Sequence, residues 1–146
     1  MTTNLCESSI SNDIQRATGL YKLAQTLIEK YQGNKSNIKL IDEILCLLNE
    51  AITLYDNYSA AYNDRGCIYE HLCLYNSALK EYCLAIDTSK DNKQSDYYYN
   101  RGNINRILEN WDEAIYDYDS AIRLDPNNIH AVENKQRLIK QLGIKK

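Results

Sequence analysis

Residues Ser59–Asn92 read SAAYNDRGCIYEHLCLYNSALKEYCLAIDTSKDN. Tyr62, Gly66, Tyr69 and Cys73 recur every three to four residues, which sets them on one face of a helix. After a short break, Ala78, Tyr82, Ala85 and Ile86 form a second stripe of the same kind. Moved on by 36 residues, the pattern returns: Tyr62, Arg65 and Gly66 become Tyr98, Arg101 and Gly102, and Tyr75 becomes Trp111. Ala78, Tyr82, Ala85 and Ile86 become Ala114, Tyr118, Ala121 and Ile122. Self-similarity at a period in the thirties marks a helical array. A glycine inside a helix costs about 1 kcal/mol against alanine, and close approach of a second helix at Gly66 and Gly102 would offset that cost.

A small residue in mid-helix, an aromatic three residues on, then alanine, aromatic and alanine: this order resembles the tetratricopeptide repeat (TPR). The second copy carries the fuller set, Gly102, Trp111, Ala114, Tyr118, Ala121 and Pro126. It departs at Asn105, where the first copy has the family's aromatic, Tyr69, while Lys90 stands in for the family's proline in the first copy. The resemblance implies an all-α fold: a right-handed α-solenoid of three antiparallel helix pairs plus a capping helix, seven helices in all. Within it, residues 1–11 read as a loose N-terminal tail and 12–146 as a single domain. That domain divides into a divergent first repeat (12–58), a second (59–94), a third (95–128) and a capping helix (129–146).

The first repeat is placed by Ala51 and Ile52, which precede Ala85 and Ile86 by 34 residues. Leu48 takes the place of Tyr82, Ile44 that of Ala78, and Ala24 that of Gly66. Ala24 lies eight residues too far upstream, so a longer loop around Gly33–Lys39, or overrunning helices, is expected. Ser95 is expected to cap one helix, and Asn110 with Glu113 to form a capping box on the next. Gly143 stops the last helix, whose apolar side is Ala131, Leu138, Ile139 and Leu142.

A net charge of −3 and a pI near 5.4 argue against a nucleic-acid binder, which needs phosphate-neutralising cations. The 13 tyrosines and the absence of phenylalanine mean that tyrosines fill the aromatic core positions, so several hydroxyls need partners. The five cysteines are odd in number and contain no CxxC pair, and so read as small buried hydrophobes of a reducing compartment. No signal peptide or membrane span is evident, and a cytoplasmic location is expected.

Helical phase gives the face opposite the core stripes. In the second repeat it carries Asn63, Asp64, Cys67, Glu70 and His71; in the third, Asp96, Tyr99, Asn100, Asn103 and Arg106. In the family this face lines a concave groove, and the resemblance implies that these ten residues bind a peptide. Tyr21, Lys22 and Gln25 extend the face into the first repeat, and His130, Glu133 and Arg137 into the cap. A primary amide both donates and accepts, so Asn63, Asn100 and Asn103 suit a peptide backbone, while Tyr21 and Tyr99 are candidate aromatic anchors. Asp117 and Asp119 read as a solvated face.

The TPR co-chaperones that clamp heat-shock chaperone tails use lysine, asparagine and arginine. The matching positions here are Tyr21, Gln25, Asp64, Asp96 and Asn100, none of them cationic, so such tails are not the expected ligand. Cys67 and His71, four apart, could pair as nucleophile and base, but no oxyanion-hole motif accompanies them. No enzyme activity, cofactor or metal is expected. The expected function is non-enzymatic: an adaptor or scaffold, monomeric or weakly homodimeric, binding a neutral or basic protein segment. A dedicated chaperone of a secreted substrate, resembling three-repeat secretion chaperones, is the alternative.

Overall fold

The computed structural model describes residues 3–31, 33, 36–90 and 93–144. It contains seven helices: α1 (Thr3–Tyr31), α2 (Ile38–Leu54), α3 (Ser59–His71), α4 (Tyr75–Thr88), α5 (Gln94–Ile107), α6 (Trp111–Leu124) and α7 (Ile129–Gln141). Among the described residues there is no strand. Each helix packs chiefly on its neighbours in the chain, α1 on α2, α3 on α4 and α5 on α6, as expected of a solenoid.

The small and aromatic stripes meet at the core. Ala78, Tyr82, Ala85, Ala114, Tyr118 and Ala121 are all buried, as are Ala24, Ile44, Leu48 and Ala51 of the first pair. The two glycines admit rings rather than backbone. A Cβ on Gly66 would lie 2.8 Å from Cε1 of Tyr82, and one on Gly102 3.0 Å from Cε1 of Tyr118. Leu138 and Ala131 of α7 are buried against Ala114, Tyr118 and Ala121, so α7 covers the core of the last pair.

The excess of the first pair is accommodated in both expected ways. The α1–α2 connection spans 32–37, against 72–74 and 108–110 in the other pairs, and α2 has 17 residues where α4 and α6 have 14. Gln32, Asn34 and Lys35 of that loop, and Asp91 and Asn92 of the later connector, lie outside the described residues. Four helices, α1, α3, α5 and α7, end alike: the second residue past each has positive φ. These are Gly33 (73°), Cys73 (60°), Glu109 (62°) and Gly143 (65°). Cys73 therefore lies in the turn and not on the face of α3.

Several expectations are corrected. From Thr3 onward the segment read as a tail is the start of α1; its serines and asparagines are ordinary helix-compatible residues once a long helix has nucleated behind them. Ser95 lies inside α5, buried, and its hydroxyl donates to the carbonyl of Ala121 at 3.0 Å. Asn110 precedes α6 but makes no side-chain cap; its amide donates to Asn105 Oδ1 at 3.3 Å. Functional caps are found at Asn37 and Asn128, which accept from the backbone N–H of Leu40 and Ala131. Cys46 and Cys73 are exposed rather than core residues.

Asp117 is not a solvated residue: it is 1% exposed. It pairs with Arg101 at 2.7 Å and accepts from Asn105 Nδ2 at 2.9 Å. Arg65 and Glu81 form the same pair one repeat earlier, also at 2.7 Å. Burial disfavours the Arg101 charge, but hydrogen bonds and the charge of Asp117 outweigh it, so the guanidinium is held more firmly protonated than usual.

Candidate peptide-binding groove

The first helices of successive pairs, α1, α3, α5 and α7, meet side by side through polar side chains. On the N-terminal side, Gln25 Nε2 donates to the Tyr21 hydroxyl at 3.0 Å, and that hydroxyl donates to Asp64 Oδ2 at 2.8 Å. Asn63 Nδ2 approaches Asp64 Oδ1 at 3.3 Å, and Asn100 Nδ2 donates to Asn63 Oδ1 at 2.9 Å. A single chain of contacts thus joins α1, α3 and α5. On the C-terminal side, Asn103 Oδ1 accepts from the Tyr118 hydroxyl at 2.8 Å and from Asn134 Nδ2 of α7 at 2.9 Å. Tyr99 lies beside Tyr118 and His130, its ring centroid 6.2 Å from that of the histidine.

Between these, the Tyr82 hydroxyl donates to Glu70 Oε2 at 2.8 Å and lies 3.4 Å from Cys67 Sγ. Next to them a cavity of about 350 Å³ opens between α1 and α3, lined by Ile28, Tyr31, Gly33, Asp64, Cys67, Ile68 and His71. The rings of Tyr31 and His71 are 5.9 Å apart. Tyr31 is 2% exposed, and among the described residues its hydroxyl has no hydrogen-bond partner.

Burial sets the electrostatics. It raises the Asp64 carboxyl above the usual aspartate value, partly countered by hydrogen bonds from Tyr21 and Asn63. Burial, followed by the charge of Asp64, pushes the Tyr21 phenol well up. The Cys67 thiol is pushed up to about 11, again mainly by burial, so it is neutral at physiological pH and a poor nucleophile. Among the described residues no group of three histidine, cysteine or acidic side chains is placed to hold a metal ion.

The ten residues expected from helical phase thus fall into groups. Asn63, Asp64 and Asn100 form one network; Cys67 and Glu70 meet at Tyr82; Tyr99 and Asn103 meet at α7. His71 lines the cavity, while Asp96 and Arg106 are exposed. Tyr21 is buried and bonded to Asp64, so it is a strut and not a free anchor. In the Tyr97–Tyr99 run it is Tyr97 that is buried, while Tyr98 is half-buried with Arg101 over its ring. Sequence reasoning missed Tyr31 and the role of Asn134. Asn134 was readable as one turn past His130 on the same face of α7; Tyr31 is displaced by the overlong first helix and had no signal.

Residues 95–128 match the family model of the tetratricopeptide repeat. Among solved structures, the Arabidopsis OM64 TPR domain superposes with a TM-score of 0.75 at 22% identity, over 88% of this chain and 98% of that one. The first TPR of Spaghetti (RPAP3), bound to the HSP90 peptide SRMEEVD, gives 0.76 at 19% identity, over 89% and 95%. YrrB, a TPR protein with an unusual peptide-binding site, gives 0.72 at 20% identity, over 94% and 66%. Residues 95–128 therefore match the tetratricopeptide repeat in sequence, and the chain as a whole has the fold of tetratricopeptide-repeat domains, three helix pairs and a capping helix. Among the described residues no helix is long and apolar enough to cross a membrane.

Proposed function

We propose that the face formed by α1, α3, α5 and α7 binds a neutral or basic segment of a partner protein, by contact alone and without catalysis. The observation that carries this reading is the row of amides that crosses the repeats: Asn63 to Asn100, then Asn103 to Asn134. Side chains tied to one another are already oriented before a ligand arrives, which lowers the ordering cost of binding. Asn63 Oδ1 accepts only one of these bonds and Asn100 Nδ2 donates only one, so each has capacity left for a main chain, while Asn103, whose oxygen accepts twice, can offer its N–H groups. The neighbouring cavity, walled by Ile28, Ile68 and the ring of Tyr31, has room for one apolar side chain.

Charge sets the preference. Asp64, Glu70 and Asp96 are acidic, and Arg106 leaves room for one carboxylate. Where co-chaperones place cations, this chain has Tyr21, Asp96 and Asn100, and Tyr21 is bonded to Gln25 and Asp64. A peptide ending like SRMEEVD would meet repulsion there. The protein would act as a cytoplasmic adaptor under this reading.

The test is selection of a displayed random peptide library on the full chain, followed by calorimetric titration of a selected peptide. Asn63→Ala and Asn100→Ala should each weaken it by about tenfold, and SRMEEVD should not compete. Undiminished binding by both variants, or SRMEEVD binding as tightly as the selected peptide, would remove the groove reading.

A further inference from the structure

A second cavity, of about 450 Å³, opens away from the groove between α4, α5 and α6. Leu79 and Cys83 form one wall, the Arg101–Asp117 pair and Asn105 another, and Asp112, Glu113 and Tyr116 complete it. Tyr116 is 59% exposed. Asp112 and Glu113 are exposed as well.

The preceding repeat supplies an internal comparison in the same fold. Moved back by 36 residues, Arg101 falls on Arg65 and Asp117 on Glu81, so the ion pair is kept. What surrounds it is not. Asn105 falls on Tyr69, Asp112 on Asn76, Glu113 on Ser77 and Tyr116 on Lys80. An aromatic becomes a small amide, which opens volume. Two neutral residues become acids, and a cation becomes an exposed ring. Arg65, Lys80 and Glu81 together carry one positive charge; Arg101, Asp112, Glu113 and Asp117 carry two negative charges. Arg101 is engaged by Asp117 through three contacts of 2.7–3.3 Å, so the excess resides on Asp112 and Glu113.

We propose that this cavity is a second binding site, outside the groove, that takes an arginine side chain from a partner protein. The guanidinium stacks on the ring of Tyr116, where cation–π attraction acts. Its N–H groups reach the carboxylates of Asp112 and Glu113, a geometry suited to a planar cation rather than to an ammonium. The aliphatic stem rests against Leu79 and Cys83. The groove reading and this site are independent: no residue is shared between them.

The probe is Nα-acetyl-L-arginine methylamide, titrated into the full chain and followed by two-dimensional NMR, with the neutral citrulline analogue as control. Saturable shifts should centre on Asp112–Asp117 and Leu79–Cys83, with the citrulline analogue about tenfold weaker. The variant Asp112→Asn/Glu113→Ser/Tyr116→Lys transplants the second repeat's residues at three exposed positions; it removes two acids from the first turn of α6 but no buried contact, so it should stay folded with a melting temperature lowered by several degrees at most. It should lose about tenfold in affinity for the arginine probe. No saturable shift, equal binding of the citrulline analogue, undiminished binding by the variant, or shifts centred on Asn100 and Asn103 would each overturn the proposal.

Discussion

Gly66→Ala sets two effects of opposite sign against each other. Helix propensity favours alanine by about 1 kcal/mol. Against that, the new methyl would start 2.8 Å from Cε1 and 3.0 Å from Cδ1 of Tyr82, well inside van der Waals contact. The ring has no easy way out. Tyr82 is fully buried, and its hydroxyl is held by Glu70, a hydrogen bond to a charged group worth about 1.5–3 kcal/mol. Overpacking of this kind costs about 1–3 kcal/mol, so the overlap should win and the variant should be less stable by roughly 1–2 kcal/mol net. For a chain of this size the melting temperature should fall by about 2–4 °C per kcal/mol. Gly19→Ala is the matched control: the residue is helical and exposed, and a Cβ there meets nothing within 4 Å. It should gain up to about 1 kcal/mol. Urea denaturation followed by circular dichroism reads both. If Gly66→Ala raises the midpoint as Gly19→Ala does, the tight crossing does not exist in solution. The same logic makes Gly102→Ala unfavourable, with Tyr118 at 3.0 Å and Asp117 Cβ at 3.1 Å.

Asp117→Ala should cost about 3 kcal/mol or more, because it leaves Arg101 and Asn105 unpaired in a buried setting, whereas Asp119→Ala, which loses only the exposed contact with Lys135, should cost about 1 kcal/mol or less; equal losses in chemical denaturation would put Asp117 back on the surface. Glu109→Gly should stabilise by about 0.5–1 kcal/mol, since φ of 62° strains a residue with a side chain; an unchanged or lower melting temperature would count against that turn geometry. Asp64 titrates above its ordinary value, chiefly through burial, so its ionised form is disfavoured by folding. Its contribution to stability is present below the ordinary aspartate pKa of about 4 and is lost as pH rises through the folded value. Asp64→Asn should therefore be more stable than the parent at pH ~7, with the gap closing near pH ~3.5; a gap that does not change with pH would contradict the burial.

The helix pairs, their packing stripes and the capping helix were legible because each depends on spacing within one or two adjacent helices. Tyr21 and Asp64 were placed on the same face but not recognised as partners. Helical phase says which way a side chain points, not whether a residue 43 positions away satisfies it. Asp117 was misread for a related reason. Its neighbour Tyr118 fills the core, and an acid beside a core residue looks solvated unless its partner is known. A signal was present: Arg65–Glu81 and Arg101–Asp117 both stand 16 residues apart in successive repeats. The early start of α1 left no pattern to find, because Ile10 and Ile14 are exposed and bury little.

The absence of phenylalanine has a consequence for how this protein can change over generations. Tyr21, Tyr82 and Tyr118 are core residues, yet their hydroxyls end on Asp64, Glu70 and Asn103, all residues of the proposed groove. A mutation that retunes specificity at Glu70 or Asn103 removes the acceptor of a buried hydroxyl, and an orphaned buried donor costs about 1–3 kcal/mol. With phenylalanine beneath, the same groove mutation would be nearly free. New ligand preferences are therefore coupled to a second substitution, tyrosine to phenylalanine in the core, and loss of the acceptor is harmful unless the hydroxyl has gone first. The route to a new partner runs through sign-dependent epistasis, and a lineage that first acquires the silent-looking hydroxyl deletion at Tyr82 or Tyr118 would be the one free to diversify its groove.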